Sequence, residues 1–164
     1  MDNIILIGMP GAGKSTVGVL LAKTLGYAFL DTALVIQQRE GALLQPLVDS
    51  LGVEAFLDVE ADAICSVECR GTVIAPGGSA VCRERAMSHL RALGRIVYLH
   101  LPLEELERRL SNISTRGIAM APGETLADLF ARRAPLYRTY ADLTVDVGRQ
   151  SLEETVALVL RALR

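Results

Sequence analysis

Residues 8–16 read Gly8-Met9-Pro10-Gly11-Ala12-Gly13-Lys14-Ser15-Thr16, matching G-x-x-x-x-G-K-[ST] at every fixed position. No other stretch constrains the fold as much, because this pattern works only between a strand and a helix. Both flanks agree. Residues 4–7 form a short apolar run, and residues 15–25 show helical periodicity with Val17, Leu20, Leu21 and Thr24 on one stripe. In such a loop the glycines let the backbone curl so that successive N–H groups point at phosphate oxygens, and the helix adds the positive end of its dipole. Gly11, Ala12, Gly13 and Thr16 belong to this cradle, Lys14 brings a point charge to the β- and γ-phosphates, and the Ser15 hydroxyl suits Mg²⁺.

The strand-then-helix pattern recurs. Residues 27–30, 72–75, 95–101 and 143–147 are further strand candidates, with helical stretches between them. Continuous apolar strands alternating with helices predict an α/β fold of three layers, a five-stranded parallel sheet with helices on both faces. At 164 residues, 51% of them hydrophobic, one domain spanning 1–164 has enough core without disulfides or metal. Two segments interrupt the alternation. The stretch 32–70 is helical throughout and too long for a simple crossover, so it predicts a helical subdomain beside the sheet. The stretch 112–124, with Gly117, Pro122 and Gly123, predicts a mobile lid loop.

Charge narrows the partners. Seventeen Lys plus Arg against nineteen Asp plus Glu give a net charge of -2, so there is no overall basic field for nucleic acid or an anionic membrane. No apolar run approaches the roughly 20 residues that span a bilayer, and Met1-Asp2-Asn3 is not the basic start of a secretory signal, so a cytoplasmic address is expected; a monomer is the expected state. Cys65, Cys69 and Cys82 are expected to be buried free thiols. His89 and His100 are expected at the surface or at a strand end.

Among nucleoside triphosphate users, a GTPase should carry Asn-Lys-x-Asp, which is missing, and a motor or helicase needs a longer chain. Neither 72–75 nor 95–101 ends in the aspartate of a Walker B strand. A small kinase of a metabolite or nucleotide remains, using ATP, with arginines on a lid and an acidic group near the acceptor hydroxyl.

Several further motifs stand in order along the chain: Asp31-Thr32-Ala33, then 52–60 with Gly52, Phe56 and Glu60, then Gly77-Gly78-Ser79, Arg116, and Arg133-Ala134-Pro135-Leu136-Tyr137. With the phosphate loop, this series resembles the shikimate kinase family over nearly the whole chain. The resemblance implies a P-loop kinase fold with ATP and Mg²⁺. It also implies that 32–70 binds the acceptor, Arg116 reaches the phosphates from the lid, Arg109 lies over adenine, and Asp31 orders Mg²⁺ beside Ser15 and assists proton removal. Gly77 and Gly78 would line the acceptor site, and Arg133 would hold its carboxylate. The residues themselves offer simpler roles for two of these: Glu105 could pair with Arg109 across one helical turn, and Asp31 could cap a helix.

The acceptor half departs from the family pattern. Ala33 stands where a second aspartate grips shikimate, Leu57 replaces an arginine, Ser79 replaces a third glycine, and Pro76 replaces a threonine. Arg133 shares the stripe of Leu126, Leu129, Phe130, Tyr137 and Tyr140 and so faces inward, whereas Arg132 lies off that stripe with Asp128 one turn before it. Glu60 shares a face with Val53, Phe56, Leu57 and Ile64 and has lost the arginine the family pairs with it. The expectation is therefore a kinase of a small carboxylate-bearing acceptor, with Glu60 binding a substrate ammonium and a hydroxy amino acid such as homoserine favoured over shikimate. The alternatives are a genuine shikimate kinase with a compensated pocket, or an ATP-binding module without catalysis.

Overall fold

The computed structural model describes residues 2–110 and 118–164. Five parallel strands form one sheet in the order β2-β3-β1-β4-β5: β1 Asn3–Ile7, β2 Ala28–Asp31, β3 Thr72–Ala75, β4 Gly94–His100 and β5 Leu143–Asp146. Every residue of β1 and β3 is buried, whereas the edge strands β2 and β5 are partly exposed, as expected for a parallel sheet covered on both faces. β1 pairs with β3 on one side and β4 on the other. Its carboxyl end is thus the switch point of the sheet, where a crevice opens.

α1 (Lys14–Leu25) leaves that switch point. Its buried face is Val17, Gly18, Leu21 and Ala22, not the stripe ending at Thr24. Thr24 is exposed and its hydroxyl bonds the Leu20 carbonyl at 2.8 Å. The reason is Gly18: a Cβ there would lie 2.6 Å from the Phe29 ring, so glycine sets the face that meets β2. Gly94 has a similar constraint, since a Cβ would stand 2.0 Å from the Asn3 carbonyl oxygen where β4 begins beside β1.

The expected helical stretch consists of α2 (Thr32–Glu40), α3 (Leu44–Leu51) and α4 (Val53–Cys65). These helices have their own apolar cluster of Ile36, Val48, Phe56, Leu57 and Ala63, closed by Ala119. Arg83 reaches back to Glu54 and Asp58 at 2.8 and 2.9 Å, and Arg85 reaches Asp62 at 2.8 Å. Exposed pairs of this kind add little stability singly. Together they hold α4 to the short 3-10 turn Ala80–Cys82 and to α5 (Glu84–Leu93).

α6 (Leu103–Leu110), α7 (Leu126–Tyr140) and α8 (Leu152–Leu163) complete the layers. Capping boxes Thr125/Asp128 and Ser151/Glu154 start α7 and α8. Asp128 is thereby engaged, and Arg132 pairs with Glu124 at 3.1 Å instead. The three cysteines are free but only partly buried. His89 meets the Val67 carbonyl and His100 meets Asp146 at the ends of β4 and β5. No helix among the described residues is long and apolar enough to cross a membrane.

Candidate active site

The phosphate loop follows β1 because the apolar run ends at Gly8, and Gly11 and Gly13 take the positive φ angles, 85° and 89°, that side chains resist. Gly13 caps α1 and has no side chain to accept a hydrogen bond, so it satisfies none of the first N–H groups of the helix through a side chain. Lys14 Nζ donates to the carbonyls of Gly8 and Met9 at 2.8 and 2.9 Å, which draws the ammonium across the loop. Ala12 is buried beneath the loop, while Gly11, Gly13, Lys14, Ser15 and Thr16 line a cavity of about 360 Å³.

At one side of this cavity Asp31 ends β2 and caps α2, with Oδ1 accepting from the Ala33 N–H at 2.9 Å and Oδ2 accepting from the Ser15 hydroxyl at 3.0 Å. The capping role and the cavity role are thus compatible, because one carboxylate serves both. Two hard oxygen donors side by side at the phosphate loop fit Mg²⁺, which takes one or two protein oxygens and fills its shell with phosphate and water.

Arg109 lies on the other side. Its guanidinium donates to the carbonyls of Gly11 at 3.2 Å and Gly148 at 3.0 Å, and its Nε meets Glu105 at 3.3 Å. The expected helix pair is real, yet Glu105 is no ordinary surface residue. It is buried and also binds Arg108, with Arg149 3.7 Å away. The hydrogen bond from Arg108, then that from Arg109, hold its pKa down at about 2. A carboxylate depressed in the fold contributes stability above its ordinary value of 4.5, and that contribution fades as pH falls toward 2. Glu105→Gln is expected to flatten the dependence of Tm on pH in that window and to raise the KM for ATP a few-fold. Thermal scans across pH and steady-state kinetics measure both.

The acceptor end is built from α4, α7 and the loop after β3. Arg133, 1% exposed, lines the cavity, donates from Nη2 to the Ala119 carbonyl at 3.0 Å, and keeps a buried Nε with no hydrogen-bond partner among the described residues. Glu60, 3% exposed, also lines it, and Oε1 accepts the Ser79 hydroxyl at 2.6 Å. Burial raises the Glu60 pKa, opposed by the Ser79 hydrogen bond and the positive charges of Arg133 and Lys14. Gly77 and Gly78 complete the wall, and Tyr137 donates to the Gly78 carbonyl at 2.6 Å while stacking on Tyr98.

Of the residues expected at the site, the structure brings Gly11, Gly13, Lys14, Ser15, Thr16, Asp31, Glu60, Gly77, Gly78, Arg109 and Arg133 to one cavity, with three adjustments to the expectation. Glu60 does not lack a partner, because Ser79, one turn-forming residue on another element, supplies it. Leu57 does not line the cavity but packs in the helical cluster, while Ala33 and Pro76 do line it. Arg116 lies outside the described residues, as does the first part of the expected lid, whereas Ile118 and Ala119 border the cavity. The pairing of Ser79 with Glu60 and the Glu105 hub escaped the sequence, since neither leaves a spacing signal. The apolar walls Ile36, Leu44 and Phe56 were hidden for the same reason.

A phosphate loop at the switch point, opening on a cavity of about 360 Å³ lined also by Asp31, Glu60, Arg109 and Arg133, defines a P-loop kinase fold, with ATP as donor and a small-molecule hydroxyl as acceptor. Comparison with known proteins agrees. The family model for shikimate kinase matches residues 10–164. A shikimate kinase of Pseudomonas aeruginosa (strain LESB58) is 41% identical over 169 residues, covering 100% of this chain and 97% of that protein. One from Pseudomonas paraeruginosa (strain DSM 24068 / PA7) is 42% identical over 168 residues, again covering 100% and 97%. Shikimate kinase from Acinetobacter baumannii, solved in complex with shikimate, superposes with a TM-score of 0.89 at 30% identity, covering 99% of this chain and 93% of that one. The Aquifex aeolicus enzyme gives 0.80 at 30% identity, covering 98% and 95%. This chain belongs to the shikimate kinase family.

Proposed function

We propose that the protein transfers the γ-phosphoryl group of ATP to a hydroxyl of shikimate, through an acceptor pocket that compensates for Ala33 and Leu57. The observation that carries this reading is Arg133: a buried guanidinium whose Nε has no hydrogen-bond partner among the described residues, lining the cavity into which the phosphate loop opens. A buried charge with unfilled hydrogen-bonding capacity is costly, which favours an anion that arrives with the substrate. A carboxylate answers the planar guanidinium best. The relatives, which are shikimate kinases, favour shikimate as the molecule that carries it.

In this reading the loop N–H groups, Lys14 and Arg116 neutralise charge on the transferring phosphoryl group, and Arg109 borders the adenine. Mg²⁺, held by Ser15 and Asp31, supplies charge neutralisation on the phosphates when bound. Asp31 Oδ2, hydrogen-bonded to the Ser15 hydroxyl, takes the acceptor hydroxyl proton. Gly77 and Gly78 border the acceptor, and the helical cluster of α2 to α4 supplies its apolar wall.

A second reading keeps the same chemistry with a hydroxy amino acid such as homoserine. It is favoured by Glu60, whose carboxylate lines the cavity that also holds Arg133. The assay is ADP release with ATP and Mg²⁺ against shikimate, homoserine and a no-acceptor blank. Saturable turnover with shikimate is expected. Turnover with homoserine alone would replace the first reading by the second, and ATP binding with no acceptor turnover would leave a binding module.

A further inference from the structure

The loop 77–79 is gripped from two sides. From α7, Tyr137 donates to the Gly78 carbonyl at 2.6 Å. From α4, Glu60 accepts the Ser79 hydroxyl at 2.6 Å, and both of these side chains are buried, at 3% and 5% exposure. The fit is close on the other carboxylate oxygen as well, because a Cβ at Gly77 would stand 2.7 Å from Glu60 Oε2. The residue one helical turn earlier that shares the Glu60 face, Leu57, is apolar and buried, and no ion pair to Glu60 is found among the described residues. A carboxylate has about four lone-pair sites, and the Ser79 hydroxyl fills one of them. Oε2 is left with acceptor capacity at the wall of a cavity whose other charged groups are Arg133, Lys14, Asp31 and Arg109.

We propose that Ser79 is a positioning residue for acceptor recognition: by donating to Glu60 Oε1 it holds the carboxylate so that Oε2 accepts a hydrogen bond from a hydroxyl of the acceptor, whose carboxylate rests on Arg133. Recognition of the acceptor is thereby split between an inward cation and an inward anion. The pair selects a hydroxylated carboxylate over a plain one, because an acceptor lacking the hydroxyl leaves Oε2 buried without a donor. The inference rests on the kinase reading above and refines its acceptor site.

The test compares Ser79→Ala with Ser79→Thr, which restores a hydroxyl. For each protein, calorimetric Kd for shikimate is measured alongside kcat and both KM values, with thermal unfolding as a check of the fold. Ser79→Ala is expected to raise the shikimate Kd and KM about tenfold, as loss of a hydrogen bond to a charged group does, with kcat and the KM for ATP moving less than about twofold. Ser79→Thr is expected to recover most of the loss. An unchanged Kd and KM in a folded Ser79→Ala protein, or an equal loss in kcat and in the KM for ATP, overturns the proposal. Should Ser79→Ala fail to fold, Glu60→Gln keeps the shape and an oxygen for Ser79 while removing the charge, and the same rise or its absence decides the matter. Shikimate binding without turnover sinks the kinase reading alone, since Kd still judges Ser79; no binding by the unaltered protein sinks both.

Discussion

Lys14→Ala is expected to lower kcat by about three orders of magnitude while leaving Tm within a few degrees. The ammonium spans the phosphate loop through the Gly8 and Met9 carbonyls, and Lys14 lines the cavity, so in the proposed reaction its charge faces the transferring group. A preorganised donor aimed at developing charge in a site that excludes water typically contributes 10²- to 10³-fold, and the lysine of this loop carries a full charge besides. Its contribution to folding is small by comparison, because the side chain is only partly buried and a hydrogen bond to a loop carbonyl contributes on the order of 1–3 kcal/mol. Single-turnover kinetics with a thermal scan of the same preparation separate the two effects. A drop in kcat matched by a collapse of Tm would mean that Lys14 holds the loop together rather than serving transfer.

The second large effect belongs to Arg133. Arg133→Met is expected to reduce kcat/KM for the acceptor by about 10³-fold, with the KM for ATP nearly unchanged and Tm equal to or above that of the unaltered protein. A fully buried guanidinium that donates to the Ala119 carbonyl and whose Nε has no hydrogen-bond partner among the described residues costs the fold desolvation energy that an apolar side chain of similar volume avoids. Among the described residues the Glu60 carboxylate and Tyr137 offset only part of that cost, and a substrate carboxylate offsets more of it. Calorimetry with acceptor and differential scanning of both proteins provide the two numbers. A marked fall in Tm would show instead that Arg133 is part of an internal polar network and not an acceptor clamp.

Much of this architecture was legible because it is periodic. The apolar runs of β1, β3 and β4 are buried on both faces, so nothing but a covered parallel sheet accommodates them, and the helical stretches between them leave few topologies. Arg133 was legible for the same reason: α7 keeps its helical period through Pro135, so its stripe predicts which way the side chain faces. Thr24 was misplaced because periodicity records polarity and not size, and the close approach of Phe29 to Gly18 turns α1 by contact geometry alone. Glu105 looked like one half of a helix pair. Its other partners include Arg149, which is far along the chain and comes near only when β5 and α8 dock.

The sequence by itself determined the order of strands and helices, the phosphate loop and the residues that meet it, since these depend on local spacing and on backbone conformations that only glycine tolerates. It also determined that Arg133 and Glu60 turn inward. What only the tertiary structure decided is how inward-facing charges are satisfied. Glu60 and Ser79 lie nineteen residues apart on different elements, and their pairing follows from the distance at which α4 packs against the loop after β3. Leu57 leaves the cavity for the helical cluster for an equally nonlocal reason, because Ile36, Val48 and Phe56 offer it apolar contact there. Hydrogen bonds between distant segments depend on packing distances, and no pattern along the chain encodes those.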